Sequence, residues 1–289
     1  MKLDRSRATL ILLSAVPLLL GSYMAMVVLD TAIIGGLIGT AYNYSPMQVV
    51  IEAVVSVLLG GTIVFLLFWV LQRRGRGTRK LVVAFVASPI LFFVAMFLSQ
   101  SLLLTMFKDA TGPFQGLVLI LSLAVSMLSI VLIIVDAIPP RLRNLYVAFY
   151  SSIFGIFMGI TMITSTMFVL IVTVTLEDFF LTKYSPAAQP ATISKRIASD
   201  PFDYARIQSE GIAVGAGDFI TYALISAHSL IYFPSFVWAA SILMCLLGIV
   251  INATIIAKEG EILPAIPLPA LLALFPWIVH LLALTFIAG

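Results

Sequence analysis

Charge is scarce in this sequence. Of 289 residues only 10% are Asp, Glu, Lys or Arg, while 62% are hydrophobic; a soluble domain carries about 25% charged and about 45–50% apolar residues. A chain of this size cannot hide so much apolar side chain beneath so thin a charged coat. That excludes a soluble enzyme, a disordered protein and a nucleic-acid-binding module. Cysteine is nearly absent as well, and the single Cys245 can form no internal disulfide. Only two histidines occur. His280 has no acidic or Cys neighbour, and His228 reads as a hydrogen-bonded helix residue, so no metal or other cofactor is expected. Neither His-Glu-x-x-His nor Ser-x-x-Lys is present, which removes the zinc and serine–lysine routes to hydrolysis in a membrane. Ten-residue runs of alternating polarity, the mark of a membrane β-barrel, are missing too. The chain reads as an all-α integral membrane protein.

Nine apolar stretches are there instead, at about 8–29, 47–71, 81–107, 114–138, 144–161, 163–182, 212–233, 235–257 and 265–287. Each is near the ~20 residues that a helix needs to cross a hydrocarbon core about 30 Å thick. Between the fifth and sixth only Gly155, Gly159 and the run Thr161-Met162-Ile163-Thr164-Ser165-Thr166 suggest a turn. The combined length of the two stretches is too great for one span and suits two joined by a tight hairpin. With nine spans, fifteen of the sixteen Lys and Arg residues fall on one side, Lys108 being the exception. The positive-inside rule then predicts a cytoplasmic N-terminus and an outside C-terminus, in a multi-pass protein of the cell membrane. The cations, Arg141 and Arg143 among them, are read as topology signals, and the net charge of +3 as their by-product. The first stretch is too long for a typical signal-peptide core and is read as retained. A polar, proline-interrupted segment at 183–211 divides the chain into a six-span part, 1–182, and a three-span part, 212–289.

Most acidic residues fall in loops or, like Asp136, at the end of a stretch, but Glu52, Glu177, Asp178 and Asp218 lie within apolar stretches. A carboxylate there costs several kcal/mol and is a functional hypothesis by default. Glu52 is near enough to a span end to reach headgroups. Asp178, near the end of the sixth stretch, and Asp218, opening the seventh, sit at similar depth on adjacent spans. Two such acids held together cannot both ionise cheaply and so share a proton, as an aspartic protease requires. The same pair could equally serve a carrier as a proton or cation site, and charge placement alone leaves the two readings open. Gly215 and Gly217 precede Asp218, and without Cβ atoms they predict a close backbone approach there. Gly155 and Gly159 form a small-x-x-x-small pattern suited to close packing of spans.

The run Gly215-Ala216-Gly217-Asp218-Phe219-Ile220, with Tyr222 after it, resembles the Gly-x-Gly-Asp-Phe signature of the presenilin and signal-peptide-peptidase family. Leu263-Pro264-Ala265-Ile266-Pro267 resembles that family's Pro-Ala-Leu-Pro motif, with Ile for Leu. Its two prolines fix φ and remove donors, so the segment cannot continue a helix and its carbonyls are left free to line a site. The nine spans, their orientation and the long loop after the sixth match as well, and the small size is similar to that of archaeal homologues. The resemblance implies an intramembrane aspartyl endopeptidase with Asp178 and Asp218 as its catalytic dyad. It assigns Gly215, Gly217 and Leu263–Pro267 to substrate binding. It implies transmembrane-helix or signal-peptide substrates in the lipid bilayer, with a homo-oligomer left open. One departure stands out: the family's first aspartate follows a tyrosine, and here Glu177 precedes Asp178. Adjacent helical residues project about 100° apart, so only one of these acids can face Asp218. Asp178 is the choice, and Glu177 is left to pair with a cation such as Lys183 or to tune the dyad. Two further readings stay open beside the carrier: a prepilin-type leader peptidase, which uses a similar aspartate pair with fewer spans, and an inactive relative that only binds membrane helices.

Overall fold

The computed structural model describes residues 5–29, 76–107, 114–184, 201–209, 212–256 and 265–288, with single positions between 47 and 62. Eight α-helices make up most of them: α1 (Arg5–Leu29), α2 (Arg76–Phe107), α3 (Gln115–Val135), α4 (Pro140–Thr161), α5 (Thr164–Tyr184), α6 (Ala216–Tyr232), α7 (Ser235–Ile251) and α8 (Pro267–Ala288). All but α5 and α6 contain a segment long and apolar enough to cross a membrane, six in total. Helices are the natural solution, because in hydrocarbon each backbone N–H and C=O must find its partner within the segment. The chain is an all-α, multi-pass membrane protein. The second apolar stretch, 47–71, falls almost wholly outside the described residues.

The long uncharged run divides where its polar residues suggested. α4 ends at Thr161 and α5 begins at Thr164, with extended backbone at Met162 between them. His228 of α6 ties this break together. Its Nδ1–H donates to the Gly159 carbonyl at 2.9 Å, which leaves Nε2 to accept the Thr164 hydroxyl at 3.1 Å.

One departure from an all-helical chain precedes α6. Residues 201–204 form a 3₁₀ turn, and strands β1 (Arg206–Ser209) and β2 (Ile212–Gly215) pair antiparallel, with Arg206 opposite Gly215 and Ile207 opposite Val214. The seventh apolar stretch therefore starts as a strand, and its helix begins four residues late. Ile207 and Val214 share one face of the pair and are buried in the main core. That burial fixes the register, because a one-residue slip would put the two on opposite faces. β1 is the strand laid against α4 and α1.

α6 is the centre of the described fold. It packs between α4, α1 and α7, so helices from both sides of the polar segment share one core. Small residues permit the approach. A Cβ on Gly155 of α4 would collide with the Ile220 carbonyl, and one on Gly159 would stand 2.6 Å from the Leu224 oxygen. On the α1 side, a Cβ on Gly21 would meet the Ala223 oxygen at 2.8 Å. Hydroxyls add polar links: Ser226 donates to the Leu18 carbonyl at 2.5 Å, and Trp238 Nε1 donates to Ser22 Oγ at 3.0 Å. Between α2 and α3, Ser88 and Ser126 each bond the other's carbonyl. Such close packing and interhelical hydrogen bonds hold helices together where lipid removes the hydrophobic drive. A second core, shared by α5, α6, α7 and α8, contains Tyr222, Cys245, Ile266 and Trp277.

Candidate active site

Asp218 is the third residue of α6, and its position follows from the hairpin. β2 delivers Gly215 as the residue before the helix, and the Gly215 N–H donates to Asp218 Oδ2 at 2.8 Å. The side chain thus caps its own helix, as an acidic residue in a first turn commonly does. Its other oxygen, Oδ1, is buried and has no hydrogen-bond partner among the described residues, and the residue is only 3% exposed. An oxygen so placed is available to a molecule that enters the site.

Asp178 reaches the same place from α5. Its Oδ2 accepts the Ile266 N–H at 3.3 Å. Ile266 in turn lies beside Gly217, and Asp178, Asp218 and Tyr222 are close enough to interact electrostatically. Asp178 thus reaches the residue just before α8. Glu177 is half-buried on α5, and the Lys183 side chain lies outside the described residues.

The Ala265–Ile266 segment is the third wall. Both residues are buried, and the Ala265 carbonyl accepts two hydrogen bonds, from the Tyr222 hydroxyl at 2.8 Å and from Asn252 Nδ2 at 3.0 Å. Tyr222 stands one helical turn beyond Asp218. Asn252 opens a π-helical turn, Asn252–Ile256, that follows α7. π-turns often mark functional positions because the extra residue re-aims a side chain. Here it carries the donor that, with Tyr222, fixes the carbonyl next to Ile266. Pro267 starts α8, where its fixed φ suits the first helical position. Leu263 and Pro264 lie outside the described residues, as does Glu52.

Besides the Ala265 carbonyl, which is not free as expected, two expectations change. Gly215 and Gly217 are not where backbones crowd: a Cβ on either would meet nothing nearer than 3.5 Å, from Asp218 Oδ2, and 3.9 Å, from Ile266 Cδ1. Both sit at a helix start that opens toward the site, whereas Gly155 and Gly159 lie on the flank that α6 packs against. The cations also do more than set topology. Arg143, only 4% exposed, pairs with Asp136 at 2.9 Å and Asp203 at 3.2 Å, and Arg206 pairs with Asp203 at 3.0 Å. The Arg143 guanidinium also lies 4.6 Å over the Tyr204 ring.

Sequence reasoning missed Asn252, Thr175 and this ion cluster. Thr175 sits one turn before Asp178, buried, with its hydroxyl unpartnered among the described residues. Its spacing of three from Asp178 was the available signal. Asn252, a lone amide among apolar residues, offered another. Among the described residues no three His, Cys, Asp or Glu side chains gather as a metal would require; His280 packs its ring against Phe233 and Phe236.

Fold and site together define a class: a multi-pass helical membrane protein in which one buried and one half-buried acid, on two helices, meet beside the Ala265–Ile266 segment. Compared with protein-family models, with curated proteins and with solved structures, the chain matches none.

Proposed function

We propose that the protein is an intramembrane aspartyl endopeptidase of the presenilin and signal-peptide-peptidase type, hydrolysing peptide bonds in transmembrane helices or signal peptides. The observation that carries this reading is the Ile266 N–H on Asp178, with the adjacent Ala265 carbonyl held by Tyr222 one turn beyond Asp218. It brings together the three sequence elements that the resemblance names. In this reading nine spans cross the cell membrane with the N-terminus in the cytoplasm. Glu177 replaces the family tyrosine and tunes the pair.

The chemistry follows from the geometry. One proton is shared between Asp178 and Asp218. The ionised carboxylate takes a proton from water as the water attacks the scissile carbonyl, and the protonated one donates to the carbonyl oxygen. Asp218 Oδ1 is the oxygen presented to water. The helix of the substrate must first unwind, and its freed backbone groups then need partners. β2 runs directly into Gly215 and Asp218, and its outer edge offers such partners to an added strand.

The test is cleavage of a helical membrane substrate by the purified protein in lipid vesicles, followed across pH. A shared proton gives a bell-shaped rate profile whose two apparent pKa values belong to the pair. A monotonic rise with pH contradicts the shared proton. Absence of cleavage together with solute uptake driven by an ion gradient would replace the protease by a carrier.

A further inference from the structure

A continuous chain of contacts links the ion cluster to the Asp218 carboxylate. Arg143, near the start of α4, bonds both Asp136 in the turn after α3 and Asp203 in the 3₁₀ turn. Arg206, the first residue of β1, bonds the second oxygen of Asp203. Tyr204 donates its hydroxyl to Asp136 Oδ1 at 2.8 Å, and its carbonyl accepts the Tyr150 hydroxyl of α4 at 2.7 Å. The next carbonyl, Ala205, accepts the Ala216 N–H at 2.8 Å, at the point where β2 becomes α6. Arg206 is paired in register with Gly215, whose N–H holds Asp218 Oδ2. The end of the hairpin that is clamped is thus the end that carries the carboxylate.

Charges and geometry suit a clamp. Among the described residues two arginines face two aspartates, and a planar guanidinium bonding two carboxylates at once fixes direction as well as distance. Burial pushes the Tyr204 hydroxyl up to about 12, with its hydrogen bond to Asp136 adding to the rise and Arg143 opposing it. A four-residue, two-stranded hairpin is too short to hold its own geometry, and its rigidity comes from what it is tied to.

We infer that Arg143 and Asp203 are positioning residues for Asp218, holding the hairpin so that the carboxylate at the start of α6 keeps its place opposite Asp178. The role of Asp218 in cleavage rests on the proposed protease activity; the clamp itself does not.

The experiment uses the full chain in lipid nanodiscs, as parent, Asp203→Asn, Arg143→Lys and Asp203→Glu, with two readouts. In amide hydrogen exchange, Asp203→Asn and Arg143→Lys lower protection of residues 206–209 and 212–216 by about tenfold or more, while α7 and α8 keep the parent's protection. In cleavage of a helical substrate, normalised to folded protein, kcat falls by about 100-fold in Asp203→Asn with a much smaller change in KM, as a misplacement of about 1 Å does. Asp203→Glu, which keeps the charge, recovers part of both. A general loss of stability would instead lower protection in α7 and α8 as well, and that outcome overturns the clamp. Hairpin protection equal to the parent's in Asp203→Asn and Arg143→Lys overturns it too, whatever the activity. An unchanged kcat beside lost protection overturns the positioning role. A parent that cleaves nothing counts against the protease, and the exchange result still decides the clamp.

Discussion

The two helices that bring the carboxylates together are built differently. α6, which carries Asp218, has twelve of its 17 residues buried and is enclosed by α1, α4 and α7. α5, which carries Asp178, buries only Met167, Ile171 and Thr175 among its described side chains, and it leaves Val172, Leu176 and Phe179 exposed. Among the described elements its main neighbour is α8, with little of it against α6. The pair is therefore asymmetric. One acid is enclosed in the core, and the other rides on a helix with few buried side chains among the described residues, so a change in their separation is expected to fall to α5. In the proposed protease, a substrate entering between them would meet one enclosed wall and one more open one.

The sharpest way to break this comparison is at the acids themselves. Asp218→Asn and Asp178→Asn should each lower cleavage of a helical membrane substrate by about 10²–10⁴-fold, the usual range for loss of an acid–base group. Glu177→Gln should keep part of the activity. Cleavage by both Asn variants at the parent's rate would refute the dyad outright. Packing gives the next effect. Gly155→Val places side-chain atoms on the Ile220 backbone, which cannot move aside, and should destabilise the fold by about 3 kcal/mol. Leu176→Ala on the exposed face of α5 should change stability by less than about 0.5 kcal/mol. Unfolding in detergent followed by helical circular dichroism compares the two; equal losses would end the asymmetry.

A smaller effect is expected at the loop. Asn252→Ala leaves the Ala265 carbonyl with Tyr222 as its remaining side-chain donor among the described residues and should cost about 1 kcal/mol, with kcat reduced more than KM. An unchanged kcat would show that the carbonyl needs only Tyr222. The smallest concerns pH. The Tyr204 hydroxyl lies above its ordinary value of 10.0, at about 12, so the folded state holds this proton more tightly than the unfolded chain. Its contribution is full below pH 10 and is lost as pH rises through about 12. Tyr204→Phe should therefore flatten the stability curve between those values, and a curve with the parent's slope would remove Tyr204 as its cause.

What the sequence disclosed, and what it did not, follows from the range of each interaction. Hydropathy is local, so the break at Met162–Ile163 and the ends of most helices were legible. The acids showed because few charges interrupt the apolar runs. The hairpin did not show: Arg206–Ser209 has the composition of a loop, and only pairing with Ile212–Gly215 makes it a strand. Arg143 looked like one more topology cation because its partners, Asp136 and Asp203, lie 7 and 60 residues away. The free carbonyls expected of the Pro-Ala-Ile-Pro segment are not free at Ala265, since both donors come from other elements. Gly155 and Gly215 are identical as letters. Only the path of α6 decides that the first is crowded and the second is open.

Cys245 is fully buried in the cluster that α6, α7 and α8 share with the site loop, and it is the one thiol in the chain. A thiol reagent can reach it only while that cluster is parted. Where closing outpaces reaction, the labelling rate is proportional to the fraction of time spent open. The unaltered sequence thus carries a clock for its own breathing, placed in the same cluster as Tyr222 and readable by mass spectrometry without an engineered label.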